Sequence, residues 1–370
     1  MATRFDVVAG WAEALRDWPR DIPWRRFAPT LLLALAAGFA ASRAGLPLPW
    51  MIGPMAICLL ASVAGLPVAA PTKVRMPMVT IIGVMLGSRF TPELLHQLPQ
   101  WTVSIAGLAL YCAVAGALSV WYLRRAAGFD LPTAYFAGMP GGLAEMSLLG
   151  HAFGGDERRI ALIHAARVML VVFTLPFLLL WLEGTSFAGE RPQAGASLAD
   201  TPLSSDLWLL VCAVSGAWLG RRLKLPAAMM LGPMLVSGVV HVGGISDFKP
   251  PNELVALAQA VVGSVLGCRF VGIAWREVVA TLRTSFVVTL LMMATTGLFA
   301  LVLGPLTGLG TTTFVLGYAP GGMVEMSLIA VVLGAEVAFV AAHHILRITM
   351  IMVAAGPIFR LGRRGEPPTR

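Results

Sequence analysis

Apolar residues in this chain fall into long blocks. In the first half the blocks run 28–41, 48–66, 76–90, 101–123, 132–153 and 160–182. A helix that spans a bilayer needs about 20 largely apolar residues, so the pattern predicts an all-α membrane protein with several crossings. The fifth block is interrupted at its centre by Pro140-Gly141-Gly142. Proline removes a backbone donor and glycine loosens the helix. That block therefore predicts either a broken crossing helix or a hairpin that enters and returns.

The same pattern occurs twice. LPLPWMIGPM (46–55) returns as LPAAMMLGPM (225–234), GSRF (87–90) as GCRF (267–270), and PGGLAEMSL (140–148) as PGGMVEMSL (320–328). His164 and Arg167 return as His344 and Arg347. Matches in order at one offset define an internal duplication, with repeat 1 at 27–182 and repeat 2 at 207–361. Residues 1–26 read as a cytoplasmic, partly amphipathic lead-in with Trp11, Trp18 and Trp24 near the membrane surface. Residues 183–206 form a polar linker in which Glu183, Glu190, Asp200 and Asp206 outweigh Arg191. Residues 362–370 form a cytoplasmic tail.

Charge distinguishes the two readings of the broken block. With a cytoplasmic N-terminus and a re-entrant fifth segment, each half crosses five times. All Lys and Arg then lie inside except Arg43, Arg89, Arg191 and Lys249, which lie outside, and the intramembrane Arg167 and Arg347. A fully crossing fifth segment gives a much more even split and moves the acidic linker inside. The first arrangement follows the positive-inside rule. Five is odd, so the expected fold is two inverted repeats, each of about five transmembrane helices plus one Pro-Gly-Gly-broken re-entrant hairpin. Inverted repeats with interrupted helices at corresponding positions point to a secondary transporter with a midplane site.

Composition supports a membrane protein and narrows the chemistry. Of 370 residues, 57% are hydrophobic and 12% charged, against roughly 45–50% and about 25% in soluble domains; mean hydropathy is +0.80. The net charge of +8 comes without a basic, aromatic-laced patch, so no nucleic-acid partner is expected. The four cysteines stand apart and read as small buried hydrophobes. Arg89 and Arg269 read as interfacial anchors, His343 as a packing residue, and His151 as a loop residue at the hairpin end. The GPM segments read as close packing with a kink or cap at Pro54 and Pro233.

The chemistry-bearing residues collect at the breaks. Glu145 and Glu325 lie in the first turn after them, where a carboxylate either binds a coupling H⁺ or Na⁺ or caps the half-helix. Ser147 and Ser327 offer hydroxyl ligands or bond their own helix backbone. Gly141, Gly142, Gly321 and Gly322, set by Pro140 and Pro320, let backbone N–H groups approach an anion or simply make the turn. Arg167 and Arg347, each three residues past His164 or His344, share a helix face with them. Each Arg is placed either to pair with Glu145 or Glu325 or to hold an anionic group bidentately.

With its paired PGG-x-x-EMSL motifs and LPxPW…GPM opening, the chain resembles the AbrB-type duplicated membrane proteins from Phe27 onward. Members are labelled as regulators of gene expression, as ammonia monooxygenases, or simply as membrane proteins. The resemblance implies a distant link to inverted-repeat cation/proton antiporters and anion transporters, and it brings no substrate. Oxygen activation needs clustered His or carboxylate ligands, and His96, His151, His164, His241, His343 and His344 are scattered. The expectation is a non-enzymatic secondary transporter of a small anionic or polar solute. It would work by alternating access coupled to H⁺ or Na⁺, without cofactor or metal, in the bacterial inner membrane with both termini cytoplasmic. The bilayer, the solute and further copies of the chain are the expected partners. The alternative is a membrane-bound regulator or sensor that influences gene expression without transport.

Overall fold

Residues 22–93, 99, 101–184 and 197–363 are described by the computed structural model. Trp11, Trp18, His96 and Arg191, most of the expected lead-in and tail, and the middle of the linker lie outside the described residues. Among the described residues there are fourteen α-helices and no strand. The first half holds α1 (Trp24–Arg43), α2 (Pro49–Val63), α3 (Thr72–Gly87), α4 (Trp101–Arg125), α5 (Leu131–Gly138), α6 (Leu143–Ala152) and α7 (Glu157–Leu182). The second repeats them as α8 (Leu203–Arg222), α9 (Ala228–Val242), α10 (Asn252–Gly267), α11 (Trp275–Thr307), α12 (Thr311–Tyr318), α13 (Met323–Val332) and α14 (Val337–Arg363). Helix α1 starts at Trp24, inside the segment read as lead-in, because Pro23 at the N-cap position lets the helix begin there.

Six helices, α4, α7, α8, α10 with the 3₁₀ turn that follows it, α11 and α14, are long and apolar enough to cross a membrane. The architecture is that of an integral membrane protein. Local signals set the element boundaries. Asp130 caps α5 by accepting from the Thr133 N–H at 3.1 Å, and Asp156 caps α7 by accepting from the Arg159 N–H at 3.0 Å. Leu48 and Ala227, at matching positions before α2 and α9, both hold φ at 46°. That left-handed turn costs an L-residue about 1–2 kcal/mol, and it recurs because both halves launch this helix at the same sharp angle.

The two halves interleave instead of packing side by side. Helix α2 lies on α10 and α3 on α9, and the equivalent helices α3 and α10 also touch each other. Equivalent elements thus meet across the interface between the halves. Helices α1–α3 and α8–α10 form one bundle; α4–α7 and α11–α14 form another, centred on the crossing of α4 with α11.

Glycines permit the first bundle. Gly83 and Gly87 on α3 face the backbone of α9 at Met230 and Met234, while Gly263 and Gly267 on α10 face that of α2 at Met51 and Met55. A Cβ on Gly263 would sit 2.5 Å from the Met51 carbonyl oxygen. These are GxxxG stripes, which bring helix backbones together where lipid gives no hydrophobic drive to associate.

The cysteines differ from the sequence reading. Cys112 and Cys212 are separate and buried, but Cys58 on α2 and Cys268 in the 3₁₀ turn after α10 lie side by side. Two cysteines 210 positions apart meet only through tertiary packing, which spacing does not reveal. Copper phenanthroline treatment is therefore expected to link Cys58 to Cys268 within one chain, read as a cross-linked peptide by mass spectrometry. Recovery of both thiols free would show that this contact does not form.

Candidate functional site

Each Pro-Gly-Gly break joins two short helices that fold back on one another. The Asp156 N–H, just past α6, donates to the Thr133 hydroxyl at the start of α5 at 2.8 Å. In the second half the Glu336 N–H donates to the Thr313 hydroxyl at 3.2 Å. The open ends of each helix pair are thus tied together and the break forms the tip. Phe136 stacks on Phe153 across the first pair. Gly150 fits against Phe136 and Ile160, where a side chain would collide.

The tip exposes the C-terminus of a helix to an apolar interior, where orphan carbonyls must find donors. Arg347 supplies them. It donates through Nη1 to the carbonyls of Ala319 at 2.6 Å and Tyr318 at 3.3 Å, and through Nη2 to that of Gly321 at 2.9 Å. Its Nη2 also donates to His344 Nδ1 at 3.0 Å. Nδ1 therefore carries no proton, and the neutral ring donates from Nε2 to the Leu316 carbonyl at 3.0 Å. Arg167 and His164 repeat the arrangement on α7. Arg167 reaches the carbonyls of Met139 at 3.1 Å and Gly141 at 3.4 Å and His164 Nδ1 at 2.9 Å. His164 Nε2 donates to Phe136 at 2.9 Å.

Neither guanidinium has an ion-pair partner among the described residues. Of the two fates offered by the sequence, pairing with Glu145 or Glu325 is not what the structure contains; backbone carbonyls take those donors. Arg167 and Arg347 are each 2% exposed. The two charges act on one another and on Tyr111 of α4, which lies within range of both. A buried Nε on each has no partner.

Glu145 and Glu325 follow the break at N3 of α6 and α13, whose N-caps are Gly142 and Gly322. Each carboxylate curls back over its N-cap glycine. A Cβ at Gly142 or Gly322 would lie 2.9 or 3.0 Å from the carboxyl carbon, and closer still to Oε2. This is the capping-box position, and it gives the second glycine of each PGG a reason in shape. Ser147 and Ser327 are 4% and 0% exposed, and neither hydroxyl has a hydrogen-bond partner among the described residues. Buried polar atoms are almost always paired, so two orphans at matching positions, one turn past the breaks, are unusual.

The structure adds residues that the repeat does not flag. Tyr111 accepts from Thr296 at 3.2 Å where α4 crosses α11. Met292 Sδ takes a weak bond from Arg167 at 3.7 Å. Tyr318 donates to the Ser104 carbonyl, and His343 bonds the Ser104 hydroxyl at 2.9 Å. Polar side chains inside apolar blocks were their only signal. His151 belongs to the last turn of α6 and is exposed, 3.9 Å from Glu157.

The two hairpins differ in their surroundings. On α13, Val324 and Leu328 are 5% and 1% exposed, and the helix packs against α3. The matching Ala144 and Leu148 of α6 are exposed, and Glu145 is half-buried where Glu325 is buried.

Comparison with known proteins places this arrangement. The family model described as "Transition state regulatory protein AbrB" matches residues 50–363, most of the chain and both hairpins. The chain belongs to the AbrB family. The chain is similar to the "Uncharacterized protein YhjN" of Bacillus subtilis (strain 168), 28% identical over 354 residues covering 90% of this chain and 91% of that protein. The "Putative regulator AbrB" of Escherichia coli (strain K12) is 26% identical over 338 residues, 89% of this chain and 94% of that protein.

Proposed function

We propose that the chain is a secondary transporter of a small anion. The reading takes it as two inverted repeats whose hairpins enter the membrane from opposite faces. The observation that carries it is the pair of buried guanidiniums without a carboxylate partner, one at each break. Helix C-termini offset only about half a charge each, so the centre of the second bundle keeps a net positive field. A buried uncompensated cation is expensive, and an intramembrane one is a functional candidate by default. The orphan hydroxyls of Ser147 and Ser327 add donors for a ligand. Gly141, Gly142, Gly321 and Gly322 make room at the tips for the side chains of Met146, Glu145, Met326 and Glu325. Glu145 and Glu325 serve as the H⁺ or Na⁺ coupling groups. Arg167 and Arg347 act mainly by setting the field and holding the tips.

Alternating access is supported by the unequal hairpins. A twofold relation makes α13 against α3 and α6 against α10 equivalent, yet only the former is closed. Movement of the hairpin-bearing bundle along the glycine-packed one would exchange them. Doubling back at each break leaves five crossings per half. The termini then lie in the cytoplasm and the acidic linker outside, in an inner membrane. Accessibility labelling is expected to find cysteines placed at Asp200 and Arg124 on opposite sides; the same side for both overturns the inverted arrangement.

The family description and one relative's name carry the word regulator, and a sensor could bind the same anion without moving it. Flux separates the two. Proteoliposomes given a panel of radiolabelled small carboxylates under a pH or Na⁺ gradient are expected to accumulate at least one. Glu325→Gln should cut gradient-driven uptake at least tenfold while binding by thermal shift persists. Binding with no flux in the parent protein would favour the sensor.

A further inference from the structure

The second bundle contains an open groove of about 950 Å³ between α4 and α14, at the upper end of the roughly 300–1,000 Å³ typical of ligand pockets. One wall is the face of α4 bearing Ala109, Ala113, Ala117 and Trp121; the other is α14 from Leu346 to Ile358. On the other side of the molecule the equivalent helices α7 and α11 pack against each other, with Thr289 buried in the place of Ala109.

The inner end of the groove reaches the first break. Met139 lines it, and the Met139 carbonyl accepts from Arg167. Ile351 also lines it, 3.1 Å from where a Cβ on Gly141 would stand. Cys112, in its floor, lies within range of the Arg347 charge. An apolar channel thus ends beside two uncompensated cations. Arg347 is ten residues inside α14, about 15 Å along its axis. A phospholipid keeps its phosphate at the membrane surface and would leave that deep charge unanswered.

We propose that the groove takes the apolar tail of an amphipathic anion, a carboxylate on a chain of medium length, whose head sits at the Pro140–Gly142 tip. This deepens the transporter reading and rests on it. The chain lies along Ala109, Ala113 and Ala117, and the carboxylate enters the field of Arg167 and Arg347.

The test uses the full chain in phosphatidylcholine nanodiscs, with empty discs subtracted, and calorimetric titration of decanoate, decanol and propionate. Decanoate is expected to bind at least tenfold tighter than either of the others. Ala113→Phe and Ala354→Phe, which fill the groove from opposite walls, are each expected to lose at least tenfold in decanoate affinity and leave propionate unchanged. Agreement of the two variants excludes misfolding of either as the cause. Equal binding of decanoate and decanol would mean that the groove takes any lipid chain, and overturns the proposal. Decanoate binding no tighter than propionate, or insensitive to both variants, overturns it while the anion reading stands. A change of oligomeric state in the variants with decanoate affinity intact overturns it in favour of an interface between copies. No binding of either carboxylate removes the proposal and the anion reading together.

Discussion

Arg347→Met is expected to lower unfolding stability by about 3–5 kcal/mol, the loss seen when one partner of a buried charged network is removed. That is a large fraction of the roughly 5–15 kcal/mol by which folded proteins are stable. The reason lies in the number of groups orphaned at once: the carbonyls of Tyr318, Ala319 and Gly321, and His344 Nδ1. Each has no water to turn to, since Tyr318, Gly321 and His344 are buried. Arg347→Lys keeps the charge but loses the planar fork, so it should fall between. Arg167→Met should cost less, because its carbonyl contacts are longer, at 3.1 and 3.4 Å, and its hairpin is partly exposed. Denaturant unfolding in detergent micelles gives the ranking. An Arg347→Met protein as stable as the parent would remove the guanidinium from its role at the tip.

Gly263→Leu should be as damaging by a different route. The added side chain would start 2.5 Å from the Met51 carbonyl oxygen, and the obstacle is backbone, which cannot rotate aside. Separation of α2 from α10 is the only relief, and it would break contacts along the centre of the first bundle. Overpacking of this kind costs about 1–3 kcal/mol for small insertions, and Leu against backbone exceeds that range. Gly297→Leu on α11 is the control, with nothing within 4 Å of its added Cβ; it should be silent. Size-exclusion profiles of fluorescent fusions distinguish a monodisperse peak from aggregate. A monodisperse Gly263→Leu protein would show that the two helices do not touch so closely.

Helix placement could be read from the sequence because it follows from local composition. The six apolar blocks of the first half correspond to α1 through α7, and Pro140-Gly141-Gly142 marks the division between α5 and α6. The duplication likewise announces which elements are equivalent. Partner choice across the halves is different. That α2 meets α10 depends on Gly263 and Gly267 facing Met51 and Met55, and nothing local in the sequence says which backbone those glycines will meet. The same limit applies to Arg347. Its deep position was evident, but its acceptors are main-chain carbonyls, which carry no residue identity for a pattern to detect. Glu325 lies between these cases: its three-residue spacing from Gly322 allowed either a capping carboxylate or an ion ligand, and the curl back over the N-cap glycine is visible only in the structure.

The interleaving of the first bundle has a consequence for biosynthesis. Translation completes α1–α3 long before α8–α10 exist, so the early helices wait in the lipid with their glycine grooves vacant. The glycine-bearing faces of α3 and α10 stay uncovered in either repeat alone, and quality-control proteases will see an unfinished product until the last helices arrive. Two separately expressed fragments, divided in the linker, should each be short-lived and should rescue one another when made together.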